Sequence, residues 1–558
     1  MEIKNIFKDF SEDPQINKMV QGILSYVEKY ANNQINHIKK LSEIGIALSA
    51  EKNLLNLLEM IIDEARSFCN ADAGTLYLYN EENQNLEFAI VQNDTMKTRM
   101  GGKSGTITWQ PVPLYRDGKP NYSNVSSYVA LTKQIVNIAD VYVAEGFDFS
   151  GTKKFDAGTG YRSKSMLVVP MLNKEDEVIG VLQLINALDY DTHEPVHFLN
   201  KDVELISSLA SQAGVAITNV KLYRDLEILF DSFIQVIASA IDEKSPYTAG
   251  HIKRVQQLSM DIAEAVNEQN EGPLKDIYFN EDEMKELSIA AWLHDVGKIT
   301  TPEHVVDKST KLETIFDRVH LIKTRYELFK KDLQVKQLKE YLEKVSSNCP
   351  ISSISPEDKE RWEKQYNALT EEADFVISCN QPGEFLDDTK IKRLQDIALK
   401  KWTDNDLETP YLTEDELLNL SIRKGSLNDK DRKIIENHCS VTYKMLSKLP
   451  FPKKLKRVPE IASKHHEKLD GTGYPFKSKA EDIPYQARIM AIADIFEALT
   501  AKDRPYKKAM PLSQALKIMG FMKKDNHIDG DIFDLFIEKK IYKKYAEREL
   551  NPEQVDCD

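Results

Sequence analysis

Apolar residues recur every three or four positions from 14 to 50, a period that predicts one long helix or two helices in series. At about residue 53 the period changes. The stretch "LLNLLEMIIDEARSFCNADA" continues at helical spacing, whereas "GTLYLYN", "NLEFAIVQND", "QIVNIADVYV", "SMLVVPML" and "VIGVLQLIN" are short runs of strand composition, the last two separated by the polar turn "NKEDEV". Together they predict an α+β module over residues 51–200, preceded by a helical segment over 1–50. Between 201 and 242 a single stripe returns, formed by Ile206, Leu209, Ala213, Ala216, Val220, Tyr223, Leu226, Phe230, Phe233, Ile237 and Ala240. A stripe of that length outlasts an ordinary helix and favours pairing with a second copy, although its own domain could also cover it.

Beyond "SPYTAGH" the pattern is helical nearly to the end, giving an all-α domain over 243–545 and a tail over 546–558. Asn280 with Glu283 and Thr413 with Glu416 fit capping boxes, and Ser355 before Pro356 fits a cap with proline in the first turn. The fold class is therefore multidomain: an α+β domain joined by a long helix to an all-α domain.

Composition narrows the range of functions. With 558 residues, 41% of them apolar, the chain can bury more than one core. A formal net charge of −15 repels polyanions, so neither a nucleic-acid polymer nor an anionic membrane is an expected partner. The five cysteines are scattered without a CxxC pair, which indicates neither a disulfide framework nor a thiolate zinc site. The start is charged throughout and no apolar run approaches the roughly 18 residues that span a bilayer, so a cytoplasmic location is expected.

The histidines carry the chemistry. His251 follows "SPYTAG", His294 and Asp295 are adjacent in "AAWLHDVGKI", and His438 lies in "IIENHCSV". His465 and His466 open "HHEKLDGTGYP", and Asp494 sits inside the apolar "MAIADIFEALT". A lone histidine is more often a hydrogen-bonded structural residue than a ligand. Adjacent acid and imidazole on a buried helix, however, cost several kcal/mol without a cation or partners, and the apolar flanks make burial expected. Five histidines and two aspartates favour a borderline to hard transition metal.

"HDVGK", "HHEKLDGTGYP" and "ADIFEALTAKDRPYKKAM" together resemble the HD-GYP phosphodiesterases, a metal-dependent branch of the HD superfamily that hydrolyses cyclic di-GMP. The resemblance runs over roughly 235–545. It implies that His251, His294, Asp295, His438, His465, His466 and Asp494 hold two divalent transition metal ions, Fe or Mn, with Asp295 bridging them. It further implies that Lys298, Arg504 and Lys508 contact phosphate. The bland reading of those basic residues is solvated surface; Lys298 is favoured because it lies one turn from the His-Asp pair. Asp470, Gly471, Gly473, Tyr474 and Pro475 take a supporting role as a tight loop whose glycines allow unusual backbone angles. Chemically, paired cations would activate water and neutralise charge on the phosphoryl oxygens.

The chain departs from the family in two places. The spacing from the His-Asp pair to the next histidine is usually short, which makes His320 the nearest candidate, yet the surroundings of His438 match the family segment better. This implies an insertion over about 304–424, read as a helical hairpin with Ile315, Val319, Ile322, Tyr326, Phe329 and Leu333 on one face and a second amphipathic segment at 357–402. It roofs the site or is a solvated decoration. Secondly, some members add a third metal through a carboxylate one turn before the first histidine, where this chain has Tyr247, with Asp242 and Glu243 nearby. Two metals, and cleavage that stops at linear pGpG, are expected, with a third metal and GMP as the alternative.

The N-terminal module resembles a GAF domain by element order and "GVLQLIN". Of the cyclic-nucleotide pattern it keeps Asn186, Phe198 and Asp202 but has Ala187 and Val203 at the neighbouring positions, so a small ligand of another kind or a dimerising role competes with nucleotide binding. The expected protein is a homodimeric, GAF-regulated cyclic di-GMP phosphodiesterase. A signalling scaffold on the same fold, and a hydrolase of another phosphoester, are the alternatives.

Overall fold

Asp13 accepts a hydrogen bond from the backbone of Gln15 and so starts α1, Pro14–Ala50, which is a single helix. The computed structural model describes residues 11–243, 250–346, 354–383, 385–404, 407–502 and 509–557. The chain divides into two units, with the break between Leu229 and Phe230.

In the first unit, α2 (Leu54–Cys69) ends at Asn70, whose left-handed conformation turns the chain into β1 (Ala71–Asn80). The strand therefore begins inside the stretch whose spacing read as helix. β2 (Asn85–Asn93), β3 (Thr98–Gly101), the helices α3 (Val125–Thr132) and α4 (Ser150–Thr159), and the strands β4 (Val136–Ile138), β5 (Met166–Leu172) and β6 (Val178–Leu188) follow. The sheet order is β3-β2-β1-β6-β5-β4, antiparallel throughout, with two short flanking strands. Of the strand predicted over 134–143, only Val136–Ile138 pairs; Val141 turns away to pack in the second core of this unit.

One face of the sheet is covered by α2 and by the first half of α5, Asn200–Asp242, through Ile206, Leu209, Ala213, Ala216 and Ile217. Ala216 is thus a core residue of this unit rather than part of a free seam. Val220 still packs on that core, and past it the stripe opens: Tyr223 is 73% exposed, Leu226 60% and Phe233 58%. Asn186, Phe198 and Asp202 are all buried. Asn186 donates to Tyr161 Oη and to the Arg162 carbonyl, and Asp202 accepts the Leu199 N–H at the start of α5. These side chains are engaged in holding the fold.

The second unit is built on α6 (His251–Asn267), α7 (Glu281–Leu293), α8 (Val319–Ser346), α9 (Pro356–Cys379) and α10 (Asp388–Ala398). The hairpin β7–β8 (Lys401–Asp404, Leu407–Pro410) then precedes α11 (Glu414–Leu420), α12 (Asp429–Leu446), α13 (Val458–Ser463), α14 (Tyr485–Thr500), α15 (Leu512–Lys524), α16 (Gly530–Glu538) and α17 (Ile541–Glu549). Apart from this short hairpin the described residues of this half form helices and loops, in keeping with the all-α expectation. Both capping boxes form, at Asn280/Glu283 and Thr413/Glu416, and Ser355 caps α9.

The main core gathers Val255, Leu258, Ile289, Ile461, Ile489 and Phe496 from α6, α7, α13 and α14. A separate core belongs to the segment after the His-Asp pair and contains Leu312, Ile322, Tyr326, Phe329, Leu394 and Leu420. Phe329 stacks on Tyr411 at 4.4 Å. Ile315 lies before α8 and is 92% exposed, so it does not belong to that face, and the amphipathic stretch 357–402 resolves into two helices and a strand. The base of this layer is tied to α12 by the partly buried Lys308, whose ammonium lies 2.7 Å from Asp431. Among the described residues, no helix is long and apolar enough to cross a membrane.

Candidate functional site

Five elements of the second unit bring the histidines together. His251 is the first residue of α6, after Gly250 in the left-handed region. His294 is the cap that ends α7, and Asp295 starts the 3₁₀ turn Val296–Thr300, so the pair lies at a helix end and not within a helix as expected. His438 lies within α12, Asp494 within α14, and His465 and His466 occupy the turn just past α13.

Two features set the spacing of these elements. Gly297 lies so close to α12 that a Cβ there would stand 2.0 Å from the His438 carbonyl oxygen. Thr442 Oγ1 donates to the His294 carbonyl and accepts the Gly297 N–H, both at 3.0 Å.

Each of four rings is held by its Nδ1. His294 bonds the Ala291 carbonyl (2.7 Å), His438 the Ile435 carbonyl (2.5 Å), His465 the Ala462 carbonyl (2.7 Å) and His251 the Glu497 carboxylate (2.5 Å). Their Nε2 atoms therefore face inward, the orientation that metal-binding imidazoles take when the other nitrogen is occupied. Asp295 stands between them. Its Oδ1 is 3.3 Å from His438 Nε2, and its Oδ2 is 3.2 Å from His294 Nε2 and 3.6 Å from His251 Nε2. Asp494 Oδ1 is 3.4 Å from His251 Nε2.

Three of these atoms, His294 Nε2, His465 Nε2 and Asp295 Oδ1, are buried without any hydrogen-bond partner. Orphaned groups of this kind are costly unless something else satisfies them. His251, His294 and Asp494 form one set of donors lying within 4.8 Å of one another, His294, Asp295 and His465 form another, and His438, Cys439, His465 and His466 form a third. The donors fit divalent metal ions, which an HD domain implies.

The electrostatics agree with that fit. Burial raises the cost of charge on Asp295, yet His294 and Lys298 hold its carboxyl well below the usual range; for Asp494 burial is likewise outweighed, by His251 and His466. Burial, and then the neighbouring His466 and His294, push His465 well below the histidine range, while burial takes His466 down to about 3. Both rings are neutral, with lone pairs available. Burial also disfavours a charged His251, but Glu497 outweighs it and raises the ring well above its ordinary value. A proton on His251 is what a bound cation would displace.

Lys298 Nζ pairs with Asp295 Oδ2 at 2.6 Å and is about a quarter exposed. Arg504, Lys508 and Tyr247 lie outside the described residues. Asp242 is buried and accepts the Gly250 N–H, beside His251.

The loop after the histidines is held from within. Gly471 has a φ of 77°, whereas Gly473 is required by proximity, since a Cβ there would meet Lys468 N at 2.4 Å. Tyr474 packs on His466 with centroids 4.9 Å apart, and Pro475 follows through a cis peptide bond. Asp470 is exposed and accepts two bonds from Thr472.

Sequence reasoning missed four residues of this site. Glu497 follows Asp494 by three positions and so shares its face of α14; Arg254 Nη2 completes the set, 2.7 Å from Glu497. Glu467 fastens the loop by accepting the Phe476 and Ser478 N–H groups. Cys439, fully buried beside His438, is the fourth.

Three family models match the chain: a GAF domain over residues 53–217 and HD domains over 248–374 and 411–532. The chain thus carries a GAF match in its N-terminal part and HD-domain matches on either side of the segment 375–410. Its relatives include the 3'3'-cGAMP-specific phosphodiesterase 3 of Vibrio cholerae, 43% identical over 98 residues, 17% of this chain and 20% of the relative. The cyclic di-GMP phosphodiesterase of Thermotoga maritima is 36% identical over 96 residues, 17% of this chain and 26% of the relative. These matches span about a quarter or less of each relative's length.

Proposed function

We propose that this protein is a metal-dependent phosphodiesterase that opens cyclic di-GMP to linear pGpG under the control of its GAF domain. The observation that carries this reading is the group of buried, unpartnered donors, His294 Nε2, His465 Nε2 and Asp295 Oδ1, within a cluster of imidazoles oriented from behind. His251, His294, Asp295, His438, His465, His466 and Asp494 would hold two divalent cations, Fe or Mn, with Asp295 between them. Bound there, the cations supply Lewis acidity toward a phosphoryl group and an activated water.

The chain's own residues do the rest. Glu497 and the three backbone carbonyls keep the imidazoles aimed inward, and the loop through Tyr474 braces His466. Lys298, partly exposed beside Asp295, provides a cation for a phosphate in a protein whose net charge is negative. Arg504 and Lys508 are assigned the same task from the sequence. The exposed apolar residues of α5 would pair two copies and couple GAF state to the catalytic unit.

The names of the relatives favour a second substrate, 3'3'-cGAMP. The test is elemental analysis of the purified full chain, followed by chromatography of products from both dinucleotides under reducing, iron- or manganese-replete conditions. Two metals per subunit with pGpG accumulating from cyclic di-GMP is the expected result. Metal-replete protein that cleaves neither dinucleotide would overturn the activity, and three metals with GMP as the main early product would overturn the metal count and the product.

A further inference from the structure

We propose that Cys439 is a thiolate ligand of the metal centre, completing a four-donor set with His438, His465 and His466. This rests on the metal centre proposed above and adds to it a donor of a different kind.

The position of the sulfur comes first. Cys439 Sγ lies 3.3 Å from His438 Nε2, the inward nitrogen, because Nδ1 of the same ring is bound to the Ile435 carbonyl. Ligand bonds of about 2.0–2.1 Å for nitrogen and about 2.3 Å for sulfur, at angles between octahedral and tetrahedral, put the two donor atoms about 3.1–3.6 Å apart. The observed separation lies in that interval. The sulfur is also within 4.8 Å of the ligand nitrogens of His465 and His466.

The second observation is independent of the cysteine. His465 Nε2 belongs to the same set, its residue is 1% exposed, and it has no hydrogen-bond partner. A buried imidazole oriented through Nδ1 with its other nitrogen unused points to a ligand that all four groups share. In the absence of a cation, the Cys439 S–H satisfies His438 Nε2 as a weak donor. When a cation binds, that nitrogen and the sulfur both turn to it, the S–H bond breaks, and one proton leaves to solvent. No oxidant or reductant is involved.

The consequence is a softer site than histidine and carboxylate alone would make. Thiolate ligation favours iron over manganese among the two metals proposed.

Cobalt(II) is the probe. The full-length protein is loaded with cobalt under reducing conditions and studied by near-ultraviolet absorption and cobalt X-ray absorption, beside Cys439→Ser and Cys439→Ala. The wild type is expected to show a thiolate-to-cobalt charge-transfer band and a sulfur scatterer at about 2.3 Å. Both variants should lose these signals while still binding cobalt, about tenfold more weakly. Cobalt-loaded wild type without sulfur scattering, or a sulfur signal that persists in both variants, would overturn the assignment and leave the metal centre standing. Failure of the wild type to take up cobalt would overturn the metal centre and the ligand with it.

Discussion

His251 and Glu497, 246 positions apart in the chain, meet with Nδ1 and Oε2 at 2.5 Å. The carboxylate is in turn held by Arg254, one turn along the same helix as His251. Glu497→Gln keeps the volume and removes the charge that orients the ring and favours its bound form. Metal affinity should fall by about 10–100-fold, measured by chelator competition. Unchanged affinity would mean that His251 is placed by packing alone.

Gly297→Ala tests the approach of the 3₁₀ turn to α12. The added methyl would meet the His438 carbonyl, which is backbone and cannot swing aside. A loss of about 1–3 kcal/mol is expected in denaturant unfolding, together with weaker metal binding, because the same shift parts Asp295 from His438. A variant as stable as the wild type would show that the turn can retreat freely.

His438→Ala should lower bound metal and abolish hydrolysis, whereas His320→Ala should change neither. His438 is 1% exposed and faces Asp295; His320 is exposed near the start of α8. Elemental analysis of the two variants decides the matter, and the opposite pattern would misplace the segment inserted between the ligands.

Leu226→Lys addresses association. Leu226 is 60% exposed on α5, beyond the part that covers the sheet, so the substitution spares the core. If two copies pair there, sedimentation should show a wild-type dimer and a variant shifted toward monomer, because the pairing would bury an unpaired charge. A wild-type monomer at micromolar concentration would sink the idea.

Asp242 gives a pH signature. Burial, only partly offset by His251, raises its carboxyl from an ordinary value near 4 to about 6. Below pH 4 both folded and unfolded chains carry the proton. As pH rises toward 6 the unfolded chain loses it first, so this group's contribution to stability drains away across that window. Asp242→Asn removes the titration. The variant should gain in melting temperature relative to the wild type between pH 4 and 6, and keep that gain above pH 6. A difference independent of pH would refute the assignment.

The order of elements was legible wherever the local sequence carries its own signal, as in the apolar runs of β5 and β6 and in the two capping boxes. It was not legible where distant partners decide. Ile315 fits a helical face by spacing, yet the helix begins at Val319. His294 reads as mid-helix in "AAWLHDVGKI", but the contact of Gly297 with α12 ends the helix there. The histidines and aspartates could be singled out because such groups are conspicuous between apolar neighbours. Glu497 lies in an equally apolar stretch, but its partner His251 is far away in the chain. Cys439 was passed over because its partners His465 and His466 are distant, and cysteine spacing alone carries no sign of them.

His294, His438 and His465 are each tethered to the carbonyl three residues earlier in the chain. The aim of each ring is therefore written within its own four-residue neighbourhood and needs no information from the others. A folded layer with its own core can stand between Lys298 and His438, anchored at Lys308, without disturbing how either histidine points. The cluster behaves like separately mounted tools on one bench: lengthening the chain between the mounts changes the route from one to the next but not the angle at which each is held.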